Sequence, residues 1–447
     1  MHIDSNSRKS IEDLLEEEFK KIELKTGGKV LTITELENIV TDVGNKFKEK
    51  LLGELSDKQA QLSPPSKKNC PECGKKRKFV NYRNRTLTTL HGPLTLRRAY
   101  LYCENCQKGE CPQDRTLGLI SFRVSPAVAE KACLAAARMP FVQAADHLWR
   151  MSGIQLSATC IEDISRKMGD LISEHDREKA ISNLETPEPC DKNPERLYAQ
   201  ADGAMVNTID GWHENKLGMV FSEQDIKRSG EGEKERISIQ KKSFVTSFLE
   251  GPVVFKNLLK LALQRAGAAS AKELILVTDG ASWLMNLGKE LMELYGNVVH
   301  ILDWFHVTEH LWKCSKDLFG ENSQIGKEWV ARYKAIIWDG GIKQALEMLL
   351  READGAKNQT PLRELYGYFN SRQDAMDYAF YRQQGYYIGS GAIESANKYA
   401  IQDRLKKSGM KWSARGANAI AHLTTKYLSG EWDNIWSKDS PILKAAA

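Results

Sequence analysis

Apolar residues recur three and four positions apart over much of residues 1–62, which predicts two amphipathic helices. We expect Ser10 to cap the first helix. Thr34 and Glu37 have the spacing of a capping box, so they are expected to open the second helix. The serine- and proline-rich residues 63–66 predict the end of this N-terminal helical region.

Helical spacing returns between residues 125 and 175 and predicts three helices. Ser125, followed by a proline, is typical of a helix start, Gly153 ends the second helix, and Ser157 caps the third. A helix, a short glycine-containing turn and another helix form the outline of a helix-turn-helix. The pattern therefore predicts a DNA-binding domain over residues 121–185, with three-helix packing that has no role in DNA binding as the alternative.

From residue 195 onward, short apolar runs predict β-strands, first three in succession and then alternating with helices. The predicted strands are 197–206, 217–221, 243–250, 273–280 and 297–303. This is the element order of a ribonuclease-H-like mixed sheet. Residues 307–385 have a helical pattern alone and predict an all-helical insertion in this domain, which covers residues 195–447.

The fold class predicted from these patterns is a multidomain α+β protein. Its 447 residues are 41% hydrophobic and 28% charged, as expected for a globular chain with buried cores. No apolar run is long enough to cross a membrane, and the N-terminus lacks the pattern of a signal peptide. We therefore expect a cytoplasmic protein with no membrane partner.

Two Cys-x-x-Cys pairs frame a stretch of alternating apolar residues that predicts a β-hairpin. The pairs are Cys70 with Cys73 and Cys103 with Cys106. Four thiolates suit the tetrahedral shell of a structural zinc ion, so residues 63–120 are predicted to form a zinc ribbon. Cys111 is a possible substitute ligand, and a redox pair or chance spacing is the alternative.

Positive charge is concentrated around this hairpin, with twelve Lys and Arg against four Asp and Glu in residues 67–115. Eight of these basic side chains are expected to decorate the ribbon: Lys75, Lys76, Arg77, Lys78, Arg83, Arg85, Arg97 and Arg98. They suggest phosphate contact, with an ordinary solvated surface as the alternative.

Three carboxylates stand out in the C-terminal half of the chain. Asp202 lies inside an apolar strand, where an acid is costly unless it is paired or bound to a metal. Asp279 ends a buried strand, although such a residue is often only part of a turn. Glu394 lies at the start of a basic helix that Ser390 is expected to cap. Phosphodiester chemistry with two metal ions about 3.5–4 Å apart needs about three such carboxylates.

These residues carry a family resemblance. Asp202-Gly203, the Val277–Gly280 run, Asp303-x-x-His306 and Glu394 followed by Asn397 resemble the Asp-Asp-Glu transposases of bacterial insertion sequences, in particular the group related to eukaryotic Mutator elements. The helical insertion before the glutamate and the closing run 405–413 are similar to features of that group. The resemblance covers residues 65–440.

The resemblance implies a ribonuclease-H-like transposase with catalytic Asp202, Asp279 and Glu394, which would bind Mg²⁺ or Mn²⁺. Asp303 and His306 would be accessory. Both Asp279 and Asp303 end buried strands, so Asp303 is the alternative for the second catalytic aspartate.

The implied partner is double-stranded DNA, both the element ends and the target, bound by a homodimer or higher oligomer in the bacterial nucleoid. The predicted DNA contacts are Arg166, Lys167, Lys398, Arg404, Lys406, Lys407, Lys411, Trp412 and Arg415. Two other functions share these features. One is a nuclease of this fold that cuts without joining strands, and the other is a DNA-binding regulator with an inactive catalytic domain.

Overall fold

The computed structural model describes residues 5–61, 69–229, 236–248, 251–356 and 358–446. The chain divides into two compact units. The first contains the chain up to Leu171 and the segment from Trp432 onward, and the second is Ile172–Glu431. The coarse prediction of a multidomain chain with helices and sheets is confirmed. The four finer domain limits stay predictions, and the proposed break at residues 63–66 lies outside the described residues.

The first unit begins with helices α1 (Ser5–Thr26) and α2 (Ile33–Gln61). Ser10 lies inside α1, so its predicted role as a cap is wrong. The capping box of α2 is also two residues earlier than predicted. Glu35 accepts a 2.8 Å hydrogen bond from the Thr32 backbone N–H, and the Glu35 N–H donates to the Thr32 hydroxyl at 3.4 Å. Two overlapping Thr-x-x-Glu patterns occur here, and the earlier one starts the helix.

Strands β1 (Lys78–Thr89) and β2 (Gly92–Cys103) form the predicted hairpin between the cysteine pairs. Thr89 pairs with Gly92, which leaves a two-residue turn, and β3 (Lys108–Glu110) pairs with the end of β2.

Helices complete the first unit, and the three predicted between residues 125 and 175 are confirmed. They are α3 (Pro112–Thr116), α4 (Pro126–Arg138), α5 (Phe141–Ser152), α6 (Ala158–Glu185), which continues into the second unit, α17 (Trp432–Trp436) and α18 (Pro441–Ala446). Ser125 caps α4 and Gly153 ends α5 with a φ of 65°. The C-terminal segment returns to this unit, since the Trp432 indole donates to Glu130 of α4 at 3.2 Å.

A five-stranded sheet in the order β10-β9-β4-β5-β8 forms the centre of the second unit. Its strands are β4 (Arg196–Thr208), β5 (Gly211–Ser222), β8 (Ser243–Phe248), β9 (Glu273–Thr278) and β10 (Val298–Leu302). β4, β5 and β8 are antiparallel neighbours, whereas β4, β9 and β10 run parallel. Each predicted strand is confirmed within its described residues, and residues 249–250 lie outside them. A separate ribbon pairs β6 (Ile226–Ser229) with β7 (Arg236–Ile239).

Helices cover the two faces of this sheet. Alternate residues of β4, including Leu197 and Ala199, pack in one buried core with α7 (Pro252–Ala266) and α8 (Ser282–Tyr295). The predicted insertion is entirely helical where described, and it begins slightly earlier than expected. It contains α9 (Trp304–Phe319), α10 (Gln324–Trp338), α11 (Ile342–Gly355), α12 (Thr360–Asn370) and α13 (Tyr378–Gln383).

The second unit closes with α14 (Gly391–Asn397), a π-helical turn (Lys398–Gln402), α15 (Asp403–Leu405) and α16 (Ala414–Leu428). Among the described residues, no helix is both long and apolar enough to span a membrane.

Candidate functional site

Three aspartates lie at the same level of three neighbouring parallel strands, Asp279 and Asp303 directly after β9 and β10 and Asp202 inside β4. Ala201 of β4 and Leu302 of β10 both pair with Thr278 of β9. The residues that follow these three are Asp202, Asp303 and Asp279. Because open α/β sheets commonly bind ligands at the carboxyl ends of parallel strands, this row is the candidate site.

Asp303 is fully buried and tied to two other segments. Its Oδ2 accepts hydrogen bonds from the backbone N–H of His306 at 3.1 Å and from the imidazole Nδ1 of His306 at 2.9 Å. Its Oδ1 accepts from the Ser390 N–H at 2.7 Å. The hydrogen bond to Asp303 raises the pKa of His306, although burial opposes this shift. Asp303 therefore joins the first turn of α9 to the segment before Glu394.

Glu394 lies on the first turns of α14, where Asp303 and His306 meet it. One ligand atom from each of these three side chains lies within 4.8 Å of the other two. The Ser390 hydroxyl donates to the Glu394 carboxylate. Ser390 precedes the helix as predicted, but its side chain does not cap the backbone, so that part of the prediction is wrong. Its hydroxyl orients the carboxylate instead.

Asp202 contacts the same helix one turn further on. Its Oδ2 accepts a 2.6 Å hydrogen bond from Asn397 Nδ2, and its Oδ1 accepts from the Gly203 N–H at 2.7 Å. Burial raises the pKa of Asp202, and the negative charge of Asp279 raises it further, against these hydrogen bonds. Within the described chain, the buried Oδ1 of Asn397 has no hydrogen-bond partner.

Asp279 begins the turn between β9 and α8, and the helical insertion holds this turn. Its Oδ1 accepts from the Ala281 N–H at 2.8 Å. The Tyr368 hydroxyl donates to the Asp279 carbonyl at 3.0 Å, and Arg372 Nε donates to the Gly280 carbonyl at 2.7 Å. Gly280 has a φ of +82°, and a Cβ there would collide with Leu302 and Arg372. The insertion thus fixes the backbone that carries Asp279.

The predicted metal set and the most compact cluster are different groups of side chains. Among the described residues, Asp202, Asp279 and Glu394 do not form a group with ligand atoms within 4.8 Å, whereas Asp303, His306 and Glu394 do. Asp279 follows the strand that lies between those of Asp202 and Asp303, and its charge raises the pKa of both Asp202 and His306, so it lies near both.

Gln200 is a site residue that the sequence analysis missed. It lies two positions before Asp202 on the same face of β4 and is fully buried. Its Nε2 donates to the Gly389 carbonyl at 2.9 Å, and its Oε1 accepts from the Ile393 N–H at 3.2 Å. Gln200 therefore clamps the start of the Glu394 helix to the strand of Asp202. The sequence could have indicated this role, because Gln200 is a second polar residue two positions from Asp202 and therefore on the same face of the strand.

A π-helical turn follows α14, and the basic residues in and after it differ in their exposure. Arg404 and Trp412 were predicted to contact DNA, but both are buried, with the guanidinium 4.7 Å from the indole ring. Burial also lowers the pKa of Arg404 to about 10. Both side chains pack inside the second unit, which corrects the prediction. The other predicted contacts in this segment are exposed: Lys398, Lys406, Lys407, Lys411 and Arg415.

The four predicted zinc ligands of the first unit converge on one point. The Sγ atoms of Cys70 and Cys106 are 3.9 Å apart and those of Cys73 and Cys103 are 3.6 Å apart, and all four lie within 4.8 Å of one another. The Lys75 backbone N–H lowers the pKa of Cys73 to about 7, which favours the thiolate. Cys111 is not part of this group among the described residues.

The predicted DNA contacts on α6 have partners within the protein. Arg166 is ion-paired to Asp163 at 2.8 Å, and both side chains are largely exposed. Lys167 donates to the Ser121 hydroxyl and lies 5.5 Å from the centre of the Phe122 ring. Exposed ion pairs of this kind are weak, so Arg166 stays available to an anionic partner.

Comparison with known proteins places the chain in a family. The sequence pattern of an uncharacterised protein family, UPF0236, matches residues 27–436. The chain belongs to the UPF0236 family. A relative from Streptococcus gallolyticus, the UPF0236 protein in the vanSb 3' region, is 24% identical over 427 residues, which cover 90% of this chain and 89% of the relative.

Both clusters lie inside the range matched by the UPF0236 family. The four cysteines fall in its first part, and Asp202, Asp279, Asp303 and Glu394 fall in its second. The family match thus extends across both units of the chain.

Proposed function

We propose that the protein is a DNA transposase that binds the ends of an insertion sequence and catalyses metal-dependent strand cleavage and strand transfer. The observation that carries the proposal is the row of Asp202, Asp279 and Asp303, which lie at the same level on adjacent parallel strands, with Glu394 on α14 beside it. The strand order, three antiparallel strands followed by two parallel ones with helices between, supports a ribonuclease-H-like catalytic domain.

The residues of the site fit a divalent cation. Burial and the neighbouring Asp279 both disfavour the charged form of Asp202, and a cation between these carboxylates would offset that cost. The unpartnered Oδ1 of Asn397 adds an acceptor that a metal-bound water would satisfy. Mg²⁺ or Mn²⁺, when bound there, activates water and stabilises the leaving oxygen of a phosphodiester.

Burial divides the carboxylates by role. Asp303 is fully buried, and its oxygens accept three N–H groups from His306 and Ser390, so Asp303 is proposed as an anchor for these two residues. Asp202, Asp279 and Glu394 are the proposed ligands. Asp279 accepts the Ala281 N–H through Oδ1 and is only half-buried, which favours it over Asp303 as the second catalytic aspartate.

The first unit is proposed to recognise DNA. A zinc ion held by the four clustered cysteines would fix the ribbon, because a closed sulfur shell is typical of structural zinc. The helix-turn-helix outline, with Arg166 and Lys167 on α6, supports contact with element ends. Pairing two DNA ends requires at least a dimer of this chain on DNA.

The test is a cleavage and joining assay on duplex DNA that carries the element ends, with Mg²⁺ or Mn²⁺. We expect wild-type protein to cut and join, and Asp202→Ala to do neither. Asp354→Ala serves as the matched control, because it removes an exposed aspartate whose ion-pair partner, Arg363, lies outside the site.

Each other outcome has a distinct meaning. Products that are cut but never joined favour a nuclease, and binding without any product favours a DNA-binding regulator. If Asp202→Ala cleaved as well as the wild type, the proposed metal site would be wrong.

A further inference from the structure

The arginines on and beside the β1–β2 hairpin fall into two classes. Three arginines are used internally. Arg77 pairs with Glu110, and Arg85 and Arg98 both reach Asp114. Arg85 also donates to the Phe122 carbonyl at 2.5 Å. These three guanidiniums hold the hairpin to its surroundings in the first unit, so a partner molecule is not needed to explain them.

Arg83 and Arg97 form the second class. Both are exposed, and in the described part of the chain no carboxylate lies within ion-pair distance of either. Each guanidinium rests on an aromatic ring, with Arg83 3.3 Å from the centre of Tyr100 and Arg97 4.1 Å from the centre of Tyr82. Stacking restricts these flexible side chains while it leaves their N–H groups free to donate. They are therefore preorganised cations that face solvent.

Among the described strands, none pairs with the hairpin where these arginines lie. Arg83 pairs with Arg98 and Asn84 pairs with Arg97, so Arg83 and Arg97 project from opposite faces. The third strand pairs only with Leu101–Cys103. Every residue from Lys78 to Asn84 is exposed, which is unusual for seven consecutive strand residues and leaves one edge of the ribbon open.

We propose that the exposed part of the hairpin, Lys78–Asn84 together with Arg97 of the neighbouring strand, inserts into the major groove of double-stranded DNA. A two-stranded ribbon has the width that the groove admits. A guanidinium on each face would meet the phosphates of the two groove walls. The exposed aromatic residues Phe79 and Tyr82 add contact surface. The inference rests on the proposed function for the identity of the partner, but it requires no cleavage.

The experiment measures binding of the full-length zinc-loaded protein to a fluorescein-labelled 30-base-pair duplex of mixed sequence, by anisotropy over a series of KCl concentrations. Ca²⁺ replaces Mg²⁺ so that binding is read without cleavage. The test variant is Arg83→Gln/Arg97→Gln. We expect the slope of log affinity against log salt to become shallower by about 2, because each lost phosphate contact removes about 1.

The control variant is Arg351→Gln/Arg363→Gln, which removes the same charge from exposed arginines of the helical insertion. We expect the wild-type slope for this control and unchanged zinc content for both variants. A wild-type slope for Arg83→Gln/Arg97→Gln would overturn the proposal. Tighter binding to a single strand of equal length than to the duplex would overturn it too.

The result is separable from the proposed catalytic function. If cleavage and joining occur but the ribbon variant binds duplex normally, only the ribbon assignment fails. If binding depends on Arg83 and Arg97 but no metal-dependent cleavage is found, the ribbon assignment stands and the transposase proposal fails.

Discussion

The charged carboxylate of Asp202 destabilises the metal-free fold, and the same carboxylate is a proposed metal ligand. It lies on a buried strand face, near Asp279, and its pKa is raised. A raised pKa means that the folded protein binds the proton more tightly than the unfolded chain. The contribution of Asp202 to stability is therefore greatest below its unfolded pKa of about 3.9 and is lost as the pH rises through the folded pKa.

Asp202→Asn should therefore stabilise the metal-free protein at neutral pH while it abolishes cleavage. The substitution removes the buried charge, and Asn397 can rotate its amide to offer the oxygen that now has no partner. We expect a higher Tm than wild type in EDTA at pH 7, with the difference vanishing below about pH 4. Thermal unfolding across a pH series checks this. An equal or lower Tm at pH 7 would contradict the account of Asp202 as a strained ligand.

The carboxylates could be found from the sequence because an acid in an apolar strand, or at its end, breaks a clear pattern. Gln200 could not be found in this way. A neutral amide is compatible with many surroundings, and its partners, the backbone of Gly389 and Ile393, are almost two hundred residues away. The sequence also left open which of Asp279 and Asp303 is the proposed second catalytic aspartate. The choice depends on burial and on which oxygens meet N–H groups, and both follow only from the tertiary structure.

At the scale of elements, the helix that carries Glu394 is held by one residue inside β4 and one directly after β10. Gln200 clamps its first turn to β4, and Asp303 holds Ser390 from the end of β10. Glu394 and Asn397 are the two residues of this helix that contact the site. The π-helical turn begins directly after Asn397. Such turns are frequent at functional sites.

Gln200→Met should weaken metal binding without removing any metal ligand. The substitution keeps the size of the side chain but loses both hydrogen bonds to the segment that carries Glu394. We expect affinity for Mn²⁺ to fall by about 10–100-fold, the usual cost of losing a partner that orients a ligand. Titration of Mn²⁺ followed by electron paramagnetic resonance measures this without any turnover.

Asn297→Ala is the matched control for Gln200→Met. Its amide also donates to backbone carbonyls, those of Ala271 and Lys272, but it precedes β10 at the opposite end of the sheet from the carboxylates. We expect this variant to lose stability and to keep wild-type Mn²⁺ affinity. Equal affinities for Gln200→Met and wild type would reduce Gln200 to a packing residue.

Most elements followed from the sequence because their periodicities are strong. The strands of the sheet and the helices of both units agree with those patterns, whereas helix starts and side-chain exposure agree less well. The capping box is formed by Thr32 and not by Thr34, because two Thr-x-x-Glu patterns overlap in the sequence. Arg404 was predicted to contact DNA, because a basic residue on an amphipathic helix is normally exposed. The π-helical turn precedes it, and Trp412 returns to cover it.

At the scale of the whole molecule, the two compact units are not two consecutive segments of the chain. The segment from Trp432 onward follows the second unit in sequence but belongs to the first unit, where Trp432 contacts Glu130 and the Ser121 N–H donates to the Ala446 carbonyl at 2.9 Å. No local pattern marks this return, because it depends on which apolar surface the last helices cover. The sequence therefore predicted domains as consecutive segments.

The two units should respond to different metals. The first unit has a buried cluster around Leu87 and Leu96, and the second has one around Leu197 and Leu276. A structural zinc ion contributes about 10–16 kcal/mol of apparent binding energy to a small domain, so its removal should unfold the ribbon. We expect two transitions in scanning calorimetry. A zinc chelator should shift only the first unit's transition and weaken DNA binding, and Mn²⁺ should stabilise only the second.

Cysteine variants assign the zinc-dependent transition. Cys103→Ser should lose the zinc ion and reproduce the effect of the chelator, because Cys103 is one of the four clustered thiols. Cys111→Ser should retain one zinc ion per chain, since Cys111 lies outside that cluster. Metal analysis and calorimetry on the same samples make the comparison. A single transition that both metals shift together would mean that α6, which runs through both units, couples them into one folding unit.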